Sequence, residues 1–321
     1  MGENHVMTRK TGIAKLASIF GSLLTLVALI FVGRSIWIQR ELLTSVSYRT
    51  ILVVILVGIP AYLSADIILA TAWKMLLNWF GEIHLDFSTS VWIYGKSQIL
   101  KYIPGNLLYL PGRHLLSLQH KAEHAPLAGA ATFEIFGLFA TASSISILGI
   151  FFTKNVDTRL SLSIAAMILL AALTSPIILK YALSIGFITK RLPAFKKLNW
   201  GKYPHLIAIW SLYICFFIIT GFILFWTASA ITGNGNTVPI YTALFAFSIS
   251  WLLGTITPGA PAGAGIREGL IILILSPYIG ESNSILVSLI TRIVTMLGDA
   301  AFYLISLYLE KTSRVSPSPT S

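Results

Sequence analysis

The chain has 321 residues, of which 55% are hydrophobic and only 11% charged. Soluble domains carry roughly 25% charged residues, so a chain this long with so few charges cannot dress a water-facing surface, which excludes a soluble enzyme or binding module. The net charge of +11 matches the Lys/Arg excess of cytoplasmic loops in membrane proteins better than a nucleic-acid-binding face.

The first segment, 1–12, carries Arg9 and Lys10 and precedes an apolar run that is too long for a signal-peptide core and has no small-residue cleavage site after it. It reads as a cytoplasmic segment before a retained first helix. A spanning helix needs about 20 predominantly apolar residues. Six stretches meet that length, near 13–32, 51–72, 126–152, 160–180, 205–231 and 284–309. Two more, 87–116 and 240–280, are apolar but interrupted by Pro and Gly. With the N-terminus inside, sixteen Lys and Arg fall on the cytoplasmic side and five outside, while Arg267 and Arg292 stay within the membrane. The positive-inside rule then puts both termini in the cytoplasm. On this topology the two interrupted stretches are re-entrant hairpins that enter from opposite faces. The expected fold is therefore an all-α polytopic integral membrane protein of the cytoplasmic membrane. It has about six full helices and two broken hairpins in one domain, 13–310. The Ser/Pro-rich end, 311–321, reads as a disordered cytoplasmic tail.

The two hairpin tips share a pattern. Pro104-Gly105 is followed by Arg113, and Pro258-Gly259 by Arg267, each Arg nine positions after its Pro, with a common offset of 154. Pro removes a backbone donor and Gly relaxes the helix, so both tips break a helix at membrane depth. Paired Gly/Pro breaks at matching positions in two halves point to a transporter with inverted repeats and its site at the breaks.

At these residues the chain resembles a known family. The run Lys101-Tyr102-Ile103-Pro104-Gly105-Asn106 with Gly112-Arg113 is similar to one signature of the lysylphosphatidylglycerol synthase transmembrane region. Pro261-Ala262-Gly263-Ala264-Gly265-Ile266-Arg267-Glu268 is similar to the other, with Ala262 where Gly is usual. The resemblance runs from about residue 13 to 310 and implies the flippase half of MprF-type proteins. No segment here is long enough for the aminoacyl-transferase domain, so what the resemblance implies is translocation of a lipid, not its aminoacylation. It leaves the lipid open.

Ionisable groups inside a membrane are costly and face a bundle interior or a cavity. Those here are Asp66, Glu134, Arg267, Glu268, Arg292 and Asp299, with Lys96, Lys101 and Arg113 in the first hairpin. The planar guanidinium of Arg113 or Arg267 matches a phosphate bidentately. The turn with Gly259, Gly263 and Gly265 opens backbone N–H groups at a helix N-terminus, which favours an anion. The competing reading makes Arg267 and Glu268 part of a structural charge pair, with Glu134 or another partner. Lys101 reads either as a headgroup contact or as a snorkelling lysine. Glu134, mid-helix, requires an arginine or a proton. Asp66 can relay protons or cap a local break after Pro60. Arg292 and Asp299, seven apart, share a helix face and are expected to pair with other helices. His114, His120 and His124 have no compact metal-ligand spacing, Cys215 reads as a packing residue, and the tryptophans read as an interfacial belt.

The expected activity is carriage of a phosphate-bearing lipid, a phospholipid or a polyprenyl-linked glycolipid, across the cytoplasmic membrane, without metal or cofactor. Expected partners are anionic membrane lipids, with a second copy or a lipid-modifying enzyme as possible protein partners. Two rivals stand beside it. One is a membrane-embedded transferase acting on lipid-linked sugars; the other is a non-transporting subunit of envelope lipid or glycan assembly.

Overall fold

A computed structural model describes residues 46–81, 83–102, 108–120, 122–152, 203–233, 238–257 and 261–315. Among these the chain is all-helical. A long helix α1 (Tyr48–Gly81) is followed by a short α2 (Phe87–Gln98), a 3-10 turn (Ile99–Tyr102), a short α3 (Tyr109–Leu118) and a long α4 (His124–Phe152). The same order then recurs: long α5 (Tyr203–Thr232), shorter α6 (Ile240–Ile256), a 3-10 turn (Pro261–Gly263), short α7 (Ile266–Ile279) and long α8 (Glu281–Val315).

Four of these helices are long and apolar enough to cross a membrane: α1, α4, α5 and α8. Helices α4 and α5 are apolar all round, the signature of a helix surrounded by protein or lipid. Their threonine hydroxyls are satisfied locally, as a bilayer requires. Thr141 donates to the Gly137 carbonyl at 2.8 Å and Thr220 to the Phe216 carbonyl at 2.8 Å. Helix α8 is the central element, with 72% of its apolar window buried against 28% for α1. It packs on α1, α2, α5 and α7. The outward faces of α1, α5 and α8 present Leu56, Ile207, Ile218 and Leu304 as exposed residues, a surface that only hydrocarbon covers at no cost.

Local chemistry sets the breaks. Asp86 caps α2 by accepting the Thr89 amide at 3.0 Å. Burial by itself pushes its carboxyl up, but the Thr89 hydrogen bonds outweigh it and hold the group below its usual value. Gly95 lets α2 approach α8 closely, since a Cβ there would lie 3.1 Å from the Phe302 carbonyl oxygen. Beyond α2 and α6 the chain tightens into the two 3-10 turns, and these turns touch each other. Ile99 and Tyr102 from the first and Ala262 from the second form one small apolar cluster with Met296 of α8.

Several sequence expectations need amendment. Of the six expected spanning stretches, four are long apolar helices among the described residues; the stretches 13–32 and 160–180 lie outside the described residues, as do the 1–12 segment and the tip residues Pro104, Gly105, Asn106, Pro258 and Gly259. The interrupted stretches are each two short helices joined through a 3-10 turn. Trp73 and Trp92 are not in an interfacial belt but in the core, 2% and 3% exposed, because α2 and α4 close over them.

Candidate functional site

The first hairpin is anchored by an ion pair in the bundle interior. Arg113 on α3 donates from Nη1 to Glu134 Oε2 on α4 at 2.6 Å, with both side chains almost wholly buried. Tyr94 on α2 donates its hydroxyl to the other oxygen of Glu134 at 2.8 Å, and Arg113 Nε reaches Ser97 Oγ at 3.2 Å. The guanidinium lies 3.5 Å over the Tyr94 ring, a desolvated cation–π contact. Every strong valence of the pair is thus filled within the protein. Arg113 is held by Glu134 and does not stand free for a phosphate.

The turn after α2 carries a second cluster. Lys101 does not snorkel; its Nζ donates to Asp299 Oδ1 on α8 at 2.7 Å. The Tyr102 hydroxyl donates to the other oxygen of Asp299. Asp66 on α1, fully buried, faces Asp299 and Lys101, yet neither of its oxygens has a hydrogen-bond partner among the described residues. Asp299 and Arg292 share a helix but bond to different neighbours.

The second turn is built on left-handed backbone. Ala262, Gly263 and Gly265 have φ of 49°, 74° and 85°. Glycine adopts such angles freely, whereas alanine is strained there by about 1–2 kcal/mol. The position where the resemblance expects Gly is therefore one whose backbone favours Gly. Arg292 Nη1 donates to the Ala262 carbonyl at 3.1 Å and holds this strained turn against α8. The same arginine lies 3.2 Å from Glu268 Oε1, an ion pair by distance whose geometry does not make a hydrogen bond. Glu268 Oε2 accepts the Gly265 amide at 2.6 Å. The N-terminus of α7 is thus capped by its own acid, which corrects the expectation that the Gly265 amide is offered to an anion.

Arg267 stands apart. It packs in a notch made by two glycines, since a Cβ on Gly254 or Gly263 would lie 2.7 Å from its side chain. Its one hydrogen bond among the described residues runs from Nη2 to Thr255 Oγ1 at 3.3 Å, and its Nε is buried without a partner. The other intramembrane cations, Lys96, Lys101, Arg113 and Arg292, each have a carboxylate within salt-bridge distance. Arg267 has none among the described residues. The residue 154 positions after Glu134, the partner of Arg113, is Ser288, which lines a pocket of about 320 Å³ together with Arg267 and Arg292.

Between the two hairpins lies an open cleft of about 510 Å³. Lys101 and Glu134 line it from the first hairpin and its supporting helix, and Thr255, Ala262 and Arg267 line it from the second. Tyr62, Tyr94, Tyr109, Phe216 and Trp251 supply aromatic walls. Of the residues singled out in the sequence, Lys101, Glu134 and Arg267 meet at this cleft. Asp66, Arg113 and Asp299 form the layer next to it, and Glu268 and Arg292 brace the second turn. The sequence reading passed over Tyr62, Tyr94, Tyr102, Ser97 and Thr255. A signal for Tyr94 and Ser97 was present: their polar groups sit ten and seven residues before Pro104, on the helix that leads into the break. Away from the cleft, His114 Nε2 lies 2.9 Å from His124 Nδ1, and no group of three metal-ligating side chains occurs among the described residues.

No family model matches the chain, and no curated protein matches it.

Proposed function

We propose that the protein is a flippase-like lipid carrier that takes the phosphate of a lipid headgroup into the cleft between its two broken hairpins. The observation that carries this reading is Arg267. It is a half-buried guanidinium opening on a polar, aromatic-walled cleft, without the carboxylate that each neighbouring cation has. An uncompensated arginine at membrane depth is costly unless an anion joins it. A phosphate oxygen pair fits its fork, and Lys101 lines the same cleft from the first hairpin as a second positive charge. The acyl or prenyl chains would remain in the bilayer beside the exposed apolar helices.

The repeat supports alternating access. Moving α1–α4 along the sequence by 154 positions brings the start of each to within three residues of the start of its counterpart in α5–α8. The contacts correspond too: α2 packs on α8 as α6 packs on α4. In this reading the two halves are inverted repeats, the hairpins are re-entrant from opposite faces, and both termini are cytoplasmic. Rocking one half against the other then opens the cleft to each side in turn. The resemblance to the lysylphosphatidylglycerol synthase transmembrane region agrees with this role.

The test is translocation in proteoliposomes with fluorescent phosphatidylglycerol and a polyprenyl-phosphate sugar. Wild-type protein moves at least one headgroup, and Arg267→Ala, which breaks no ion pair, loses the movement while keeping its melting temperature. Equal translocation by folded Arg267→Ala rejects the site.

A further inference from the structure

We propose that Asp66 and Asp299 form a proton-binding site whose occupancy is linked, through Lys101, to an anionic headgroup in the cleft. The inference rests on the carrier reading above and adds to it the coupling ion.

Charge counting leads to this site. Asp66 and Asp299 are 0% and 3% exposed and face each other from α1 and α8. One cation, Lys101, is bound to them, through Asp299. Among the described residues no second cation is bound to them, and Arg292, which stands near Tyr102, is paired with Glu268. Tyr62 of α1 and Tyr102 of the turn are neutral hydroxyls, and Tyr102 already donates to Asp299. Arg267 stands near Tyr62, on the cleft side. Helix α5, which packs on α1, contains no Asp, Glu, Lys or Arg. On α4 the acid Glu134 is bound to Arg113, and on α2 Lys96 is bound to Glu310. Two ionised carboxylates and one ammonium would leave a net buried negative charge, which low-dielectric surroundings resist strongly. One proton shared by the two acids makes the site neutral, as close carboxylates share a proton elsewhere. Neither Asp66 oxygen has a hydrogen-bond partner among the described residues, so no donor there stabilises its ionised form.

Lys101 connects this site to the cleft, because it both binds Asp299 and lines the cleft wall. When a phosphate arrives and draws the ammonium toward itself, Asp299 loses its counter-charge. A second proton, taken from water onto the Asp299 carboxylate, restores neutrality. Release of the phosphate returns Lys101 to Asp299 and expels that proton. No bond other than O–H is made or broken, and headgroup and proton move together.

Two measurements on the full chain in lipid bilayers test this. Infrared difference spectra of wild type against Asp66→Asn at neutral pH should show the carbonyl stretch of a buried protonated carboxyl as a wild-type band. That readout needs no substrate. In proteoliposomes with fluorescent phosphatidylglycerol, wild-type translocation should fall about tenfold per pH unit on the alkaline limb, as a one-proton requirement dictates, and the double variant Asp66→Asn/Asp299→Asn should lose this slope. Absence of the carboxyl band in folded wild type overturns the proton site whatever the transport result. A band with pH-independent wild-type translocation overturns the coupling alone. A band without any translocation overturns the carrier reading, and the coupling falls with it.

Discussion

Arg113 and Arg267 occupy the same place in the two hairpins, yet their surroundings make opposite demands. Removing Arg113 leaves Glu134 charged and unpaired at 2% side-chain exposure, a loss of about 3–5 kcal/mol for a buried pair broken on one side. Arg113→Ala should therefore lower the melting temperature sharply in detergent, and the double variant Arg113→Met/Glu134→Leu should recover most of it. Arg267→Ala should barely alter melting, because it forfeits only the 3.3 Å contact to Thr255. The glycines beside it divide in the same way. Gly263→Ala places a Cβ 2.7 Å from Arg267 Nε and 2.9 Å from the Gly254 backbone, at φ 74°, so it should both destabilise the protein and displace Arg267 from the cleft. Ala262→Gly relieves left-handed strain of about 1–2 kcal/mol against an entropy cost of about 0.5–1 kcal/mol. It should leave melting unchanged or slightly raised, as thermal denaturation of the two variants side by side will show.

Among the elements, α3 is the least secured: ten residues, held by Arg113 at its centre and by the His114–His124 contact to α4. Burial pushes the His114 imidazole below its ordinary value, and the neighbouring His124 pushes it further the same way. A histidine with a depressed folded-state value binds protons more readily when unfolded. Its contribution is present above the unfolded value, near pH 6.5, and is lost as pH falls through the lower folded value. Melting temperature should therefore drop between about pH 7 and pH 5, and His114→Gln should flatten that drop. A profile unchanged by His114→Gln would detach the histidine pair from the stability of α3. The element scale also shows how far the sequence could be read. The Pro104-Gly105 and Pro258-Gly259 steps marked two breaks, and short helices flank both of them. Their lengths and the 3-10 turns between were not legible, because hydropathy is blind to where a helix tightens within an apolar run.

For the whole molecule, the repeat organises what the single residues do. The long–short–short–long order occurs twice, and its broken elements meet turn to turn beside α8. Translocation lost in Arg267→Ala, and pH-dependent in wild type, are predictions at this scale, since each needs both halves to form the cleft and its neighbouring acid pair. Four apolar helices of spanning length make the chain membrane-embedded, and the exposed leucines and isoleucines of α1, α5 and α8 are the face that a bilayer covers.

The sequence by itself determined the solvent and the inventory. A charge content of 11% excluded water as the surroundings of most of the chain. The Pro-Gly and Arg spacing occurs twice at an offset of 154, and the cost of ionisable groups in hydrocarbon singled out Asp66, Glu134, Arg267, Arg292 and Asp299. Only the tertiary structure decided the pairing. Glu134 goes to Arg113, Asp299 to Lys101 and Glu268 to Arg292, leaving Arg267 with the cleft and Asp66 without a donor. These partners are up to 198 residues apart in the chain. Local spacing carries no information about which of them the packing on α4 and α8 brings within 3.2 Å, so the charge left over, and with it the site, emerges only when the helices are assembled.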